Sequence, residues 1–286
     1  MTRLALFAMW LLHWLPFPLL AACGRFFGHA FYLLGRWRRH VALTNLGLCF
    51  PTLDATQKSA LARRHFAAFG RAFLERGLLW WAAPERIRRV VQLAGREHLD
   101  ARRDRPVILF APHFVGLDMG LTRIAMEADI VCIYAQQNNP VFNDRLYRGR
   151  MRFGQAEMLS RRDGARPALR ALKAGKPLYY LPDLDYGGED AIFAEFFGVP
   201  AATITGLPRL ARLAGAVVLP VVTRMTSSGY VVTIGAPWLN YPSGDIAADI
   251  RRMNHFIEQE VVKMPEQYYW LHRRFKTRPP GELRPY

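Results

Sequence analysis

Cysteine is scarce in this chain: Cys23, Cys49 and Cys132 are the three, and they stand far apart. No CxxC pair or Cys/His cluster occurs, which argues against a structural zinc site. An odd, sparse count also offers no disulfide framework and fits a reducing compartment. There is no GxSxG, so the serine nucleophile elbow is missing. No internal repeat or low-complexity linker breaks the 286 residues. Acidic residues are in deficit, 23 against 39 Lys and Arg, for a net charge of +16. That excess asks for a polyanionic partner: nucleic acid, an anionic membrane face, or a phosphorylated or acidic substrate. What is present is apolar. Hydrophobic residues make up 51% and charged residues 22%, which excludes a disordered or collagen-like chain. Aromatics reach 13%, generous for a nucleic-acid domain and natural for a protein that touches lipid.

Charge is also absent from one stretch. Leu4 to Cys23 (LALFAMWLLHWLPFPLLAAC) is 20 residues without a formal charge, interrupted by His13, Pro16 and Pro18. A bilayer crossing needs about that length. A retained membrane helix or interfacial anchor, a cleaved signal peptide and a buried core helix compete for it. Arg3 and the lipoprotein-like Leu20-Ala21-Ala22-Cys23 speak for cleavage. The chain stays apolar through Phe26, Phe27, Phe31, Tyr32, Leu33 and Leu34, which speaks against export and for a retained anchor. One basic side chain, Arg3, precedes the segment; Arg25, Arg36, Arg38 and Arg39 follow it. By the positive-inside rule the bulk of the protein faces the cytoplasm. Trp10, Trp14 and Trp37 suit a membrane interface. Gly24 and Gly28 form a GxxxG, although Arg25 inside it weakens a helix-dimer reading.

Residues 52–83 are helical in pattern, with Gln57 at capping-box spacing from Asp54 and an apolar stripe of Leu61, Phe66, Phe69, Phe73 and Leu74. From residue 106 short apolar runs alternate with helical stretches. Val107–Ala111, Ile130–Ala135, Pro177–Leu181, Ala216–Thr223 and Tyr230–Ile234 read as strands. Leu117–Ala128, Gly164–Ala174, Leu207–Ala214 and Ile246–Val262 read as helices. Continuous apolar strands alternating with helices predict an α/β fold, a mostly parallel sheet flanked by helices. We expect a membrane anchor or interfacial helix over residues 1–35 and a single α/β domain over 36–286.

His113 follows the first of these strands after Ala111-Pro112, and Asp118 comes five residues later. On a continuous helix that offset turns ~500°, so the two would not share a face. The pair works with His113 on the strand-to-helix loop and Asp118 on the first helical turn. Pro112 and Gly116 support that placement, and carboxyl ends of parallel strands are where α/β folds hold their sites. A neutral imidazole can take a proton from a hydroxyl attacking a carbonyl. A carboxylate behind it fixes the tautomer and stabilises the imidazolium. With no local Ser or Cys nucleophile, direct acyl transfer to a substrate hydroxyl is the reaction that fits. A His capping a helix or bonded in the core is the competing reading.

Six segments set the context: Arg39–Pro51 (RHVALTNLGLCFP), the strand with His113-x4-Asp118, Met158–Asp163 (MLSRRD), Leu181–Gly187 (LPDLDYG), Phe196–Thr203 (FFGVPAAT) and Val218–Val221 (VLPV). In this order they resemble the late acyltransferases of lipid A assembly, the lauroyl and myristoyl branch of the lysophospholipid acyltransferase superfamily. The resemblance spans residues ~36 to 275. Two departures stand out. Pro182-Asp183-Leu184-Asp185 replaces the Phe-Pro-Glu-Gly-Thr of the glycerophosphate branch, which turns the reading away from lysophosphatidate. Many lipid A enzymes carry Glu where Asp118 stands; the shorter arm keeps the charge.

The resemblance implies a membrane-associated O-acyltransferase moving a fatty acyl chain from acyl carrier protein, with coenzyme A as the alternative donor, to a hydroxyl of a lipid A precursor. Its place would be the cytoplasmic side of a bacterial inner membrane. His113 and Asp118 would form the general-base dyad. Arg161 would hold a phosphate or the developing oxyanion, with Asp183 and Asp185 orienting it or shaping the acceptor site. A solvated arginine and turn capping beside Gly187-Gly188 are the plainer readings of these residues. Phe196, Phe197 and Thr203 to Thr205 are read as acyl-pocket lining or as core. No metal or cofactor is demanded. The basic excess fits an acidic carrier protein, a phosphorylated glycolipid acceptor and an anionic membrane. Another lysolipid or glycolipid acceptor, a hydrolase and an inactive membrane-associated binding protein remain alternatives. No nucleic-acid motif is visible.

Overall fold

The computed structural model describes residues 1–102, 104–187 and 190–286, so Gly188 of the Gly187-Gly188 turn lies outside the described residues. The chain opens on four helices: α1 Thr2–Leu12, α2 Phe17–Leu34, α3 Arg36–Cys49 and α4 Ala55–Trp81. Pro16 and Pro18 set the start of α2, where proline's missing N–H costs nothing. At α4 the predicted capping box forms: the Gln57 N–H donates to Asp54 at 2.8 Å and the Asp54 N–H to Gln57 at 2.9 Å.

Then follow α5 Pro84–Val90, β1 Val91–Ala94, α6 Arg96–Asp100, β2 Val107–Phe110, α7 Leu117–Ala125, β3 Val131–Tyr134, α8 Pro140–Arg150 and β4 Glu157–Ser160. The second half runs α9 Arg166–Lys173, β5 Leu178–Tyr180, β6 Ala191–Phe196, β7 Val199–Ile204, α10 Gly206–Ala214, β8 Val217–Met225, β9 Tyr230–Ile234 and α11 Ile246–Lys263. Seven strands make one sheet, in the order β1-β9-β8-β2-β5-β3-β4. Among the described residues, β8 and β9 alone pair antiparallel within it. The mostly parallel α/β sheet is thus as the sequence predicts. β2 is buried at all four positions and β5 at all three, which is why both read as unbroken apolar runs. β6 and β7 form a separate antiparallel hairpin.

α2 is the one described helix long and apolar enough to cross a membrane. It is also docked on the body of the protein. Its small-residue stripe lies directly against α4: a Cβ on Gly28 would fall 2.1 Å from the Phe66 carbonyl oxygen, and one on Gly70 would fall 2.4 Å from that of Gly24. The GxxxG therefore serves contact within the chain, by the close backbone approach such stripes allow. Leu20, Ala21 and Tyr32 are buried on this side. Phe26, Phe27, Leu33 and Leu34 point away and are exposed, as are Phe7, Trp10 and Trp14 nearby. Arg86 ties the turn after α1 to the body by donating to the His13 and Leu15 carbonyls.

Candidate active site

β2 and β5 are parallel neighbours, with Phe110 opposite Tyr180. The Ala111 N–H still donates to the Tyr180 carbonyl at 2.9 Å, so the two loops leave the sheet side by side. Three residues past the paired positions stand His113 on one loop and Asp183 on the other. Register alone brings them together. His113 Nδ1 lies 2.6 Å from one Asp183 oxygen, and the His113 backbone N–H donates to the other at 2.9 Å. The Tyr268 hydroxyl donates to that second oxygen at 3.1 Å. Asp183 is fully buried. Burial would raise its pKa, but the His113 charge and hydrogen bonds, then Arg274, hold it below the usual carboxylate range. An ionised Asp183 puts the ring proton on Nδ1 and leaves the Nε2 lone pair free to accept a proton.

The expected partner of His113 was Asp118, and the structure gives Asp118 other work. It sits in the first turn of α7, and its carboxylate turns to α4 and α8. Arg76 Nε donates to one oxygen at 2.7 Å; Arg150 donates to the other from Nε at 3.0 Å and Nη2 at 2.6 Å. Burial would raise the Asp118 pKa, yet Arg150 and then Arg76 hold it well below the ordinary value. Both oxygens are taken by guanidinium groups, so the carboxylate behind His113 is Asp183, contributed from the adjacent strand.

The other site residues divide. Asp185 is buried and accepts from the Thr277 N–H at 2.8 Å, from Thr277 Oγ1 at 2.9 Å and from the Gly187 N–H at 3.0 Å. These bonds clamp the carboxyl-terminal segment. Neither Asp183 nor Asp185 bonds Arg161 among the described residues. Arg161 is exposed and stacks on the Tyr186 ring, with its guanidinium carbon 3.9 Å from the centroid. Phe196 is core: it is fully buried and packs on Tyr268 and Phe275. Thr203 Oγ1 accepts from buried Arg274 at 2.8 Å.

Sequence reasoning missed the segment after α11. Its backbone runs beside the His113 loop: the Val115 N–H donates to the Gln267 carbonyl at 2.8 Å and the Tyr269 N–H to the His113 carbonyl at 3.0 Å. It carries Tyr268, His272, Arg274 and Thr277 to the site. The run QYYWLHRRFKT, dense in aromatics with polar tips, was the available signal. His272 Nε2 accepts the Asp185 N–H at 3.1 Å. Burial, followed by the charges of His113, Arg274 and Lys276, pushes its pKa down to about 4, against the pull of Asp185. Among the described residues no three His, Cys, Asp or Glu side chains gather as a metal site would require.

A histidine ring bonded to a buried carboxylate thus stands at the carboxyl edge of the parallel sheet. The chain belongs to the bacterial lipid A biosynthesis acyltransferase family, whose model matches residues 1–277, and it is an acyltransferase. It is similar to the lipid A biosynthesis lauroyltransferase of Escherichia coli (strain K12), 33% identical over 286 residues, 98% of this chain and 93% of the relative. The palmitoleoyltransferase of the same organism is 34% identical over 287 residues, 99% of this chain and 93% of the relative. Its myristoyltransferase is 33% identical over 274 residues, 94% of this chain and 83% of the relative.

Proposed function

We propose that this acyltransferase moves a fatty acyl chain from acyl carrier protein to a hydroxyl of a lipid A precursor, at the cytoplasmic face of the inner membrane. The observation that carries the mechanism is the His113–Asp183 pair. His113 Nε2 takes the proton of the acceptor hydroxyl as its oxygen bonds to the thioester carbonyl carbon. The tetrahedral intermediate then expels the thiolate, which recovers that proton from the imidazolium. Asp183 stabilises the imidazolium while it exists. No covalent enzyme intermediate is needed. Cys49 and Cys132 are buried, and burial pushes the Cys132 thiol up to about 11, far from a nucleophile's range.

Asp118 acts on this reading as a positioning residue, fastening α7 to α4 and α8 through Arg76 and Arg150. Asp185 holds the carboxyl-terminal segment in register with the His113 loop. Arg161, exposed and stacked on Tyr186, would meet an acceptor phosphate on this reading. The exposed aromatic and aliphatic face of α1 and α2, with Arg25 and Arg36 beside it, supports a helical wedge lying in an anionic leaflet.

Mass spectrometry of lipid A from cells with and without the gene tests the reading. Loss of one acyl chain, restored by the intact gene and not by His113→Ala, is expected. Unchanged lipid A, with the missing chain found in another lysolipid or glycolipid, would overturn the acceptor assignment.

A further inference from the structure

The hydrogen bond from the Asp185 N–H to His272 Nε2 fixes the chemistry of a second imidazole. An N–H donates only to a nitrogen with a lone pair, so Nε2 is unprotonated and the neutral ring carries its hydrogen on Nδ1. The charged and titratable groups felt by the ring are His113, Arg274, Lys276 and Asp185, and three of these four disfavour a second positive charge. A His113 that has just taken the acceptor's proton disfavours it further. The two imidazoles therefore do not exchange roles: one accepts a proton and the other keeps its own.

The hold on Asp185 occupies Nε2 alone. Among the described residues nothing accepts from Nδ1–H, although the ring is half-buried. Its backbone carbonyl is taken, by Asn45 Nδ2 and the Arg274 N–H at 2.8 and 2.9 Å. The tautomer is fixed, the ring is uncharged, and the donor stands unclaimed on the segment whose Tyr269 N–H bonds the His113 carbonyl.

Resting on the acyl-transfer reading above, we propose that His272 Nδ1–H donates to the acyl oxygen as the acceptor hydroxyl adds to the carbonyl. The carbonyl π pair moves onto that oxygen when the new C–O bond forms and returns when the C–S bond breaks. The Nδ1 proton stays on the ring throughout, so proton balance rests with His113 alone. A neutral donor aimed at developing charge gains strength in the transition state, where it accelerates the reaction.

Two amides separate this role from a structural one. The amide of Asn reaches the place of ring Nδ1, and that of Gln reaches the place of Nε2. Steady-state kinetics of purified His272→Asn, His272→Gln and His272→Phe are compared with the unaltered protein. Expected is a kcat loss of ~10²–10³ for Gln and Phe with KM little changed, as for loss of one oxyanion donor. Asn should keep kcat within about tenfold, since a donor remains. A near-normal Gln variant with an inactive Asn variant would show that holding Asp185 is the whole task, and would overturn the proposal. So would three variants all near normal.

A second measurement needs no variant. Nitrogen NMR of the unaltered protein should show the His272 Nδ1–H resonance moving downfield when a tetrahedral phosphonate mimic of the intermediate binds. A bound mimic with an unmoved resonance contradicts the proposal whatever the variants do. Absence of acyl transfer by the unaltered protein would overturn the functional reading itself, an outcome distinct from both.

Discussion

His65 and His272 share an unusual state for histidine: both are pushed down to about 4, chiefly by burial. His65 is fully buried, with Nδ1 2.9 Å from the Glu266 carbonyl and no partner on Nε2 among the described residues. A folded pKa below the unfolded value of about 6.5 means that the unfolded chain binds protons the folded chain refuses. Stability is therefore full above about pH 6.5, falls as pH drops toward 4, and levels below it. For His65 the loss is on the order of 3 kcal/mol. Asp118 and Asp183, also held low, follow the same order at lower pH: their contribution is present above about pH 4 and lost only further down. Melting temperature should thus fall between pH 7 and 4.5, and His65→Gln should flatten the fall. A flat profile in the unaltered protein would contradict this account of the buried rings. The residue types of the site were legible in the sequence, since His113, Asp118, Arg161, Asp183 and Asp185 all stand out. The partnership was not. Nearness in sequence pointed to Asp118, whereas equal offsets from a shared register brought Asp183.

Among elements, the strands buried on both faces announced themselves, β2, β5 and β8 above all. The sheet edges did not. β1 (VQLA) and β4 (EMLS) are four residues each, partly polar, and end the strand order. α8 is polar along most of its length and likewise gave no apolar stripe. The α2 segment had the length of a bilayer crossing, yet its glycines commit one side to α4. The two sides of α2 should therefore answer mutation differently. Gly28→Ala places a Cβ against backbone and should cost at least ~1–3 kcal/mol of stability. Phe26→Ser with Leu34→Ser should leave the melting temperature alone and weaken flotation with anionic vesicles. A harmless Gly28→Ala, or a polar pair that unfolds the protein without releasing it from vesicles, would reverse this assignment of faces.

Across the whole molecule the site is a meeting of distant parts. The loops after β2 and β5 bring His113 and Asp183, the segment after α11 brings Tyr268 and His272, and α4 with α8 brings the arginines that fasten α7. The chain as a whole carries a net charge of +16. The central claim is that His113 and Asp183 act as one unit. It is tested most directly by kcat for His113→Ala, Asp183→Asn, their double variant and Asp118→Asn, with acyl carrier protein as donor. His113→Ala should lose ~10²–10⁴-fold, the usual range for general-base removal. Asp183→Asn should lose heavily too, and the double variant should be scarcely worse than His113→Ala alone. Asp118→Asn should lower stability by freeing two partly buried guanidinium groups, and its activity loss should multiply with that of His113→Ala. Losses at His113 and Asp183 that simply multiply, or a double variant of His113 with Asp118 that does not, would contradict the account.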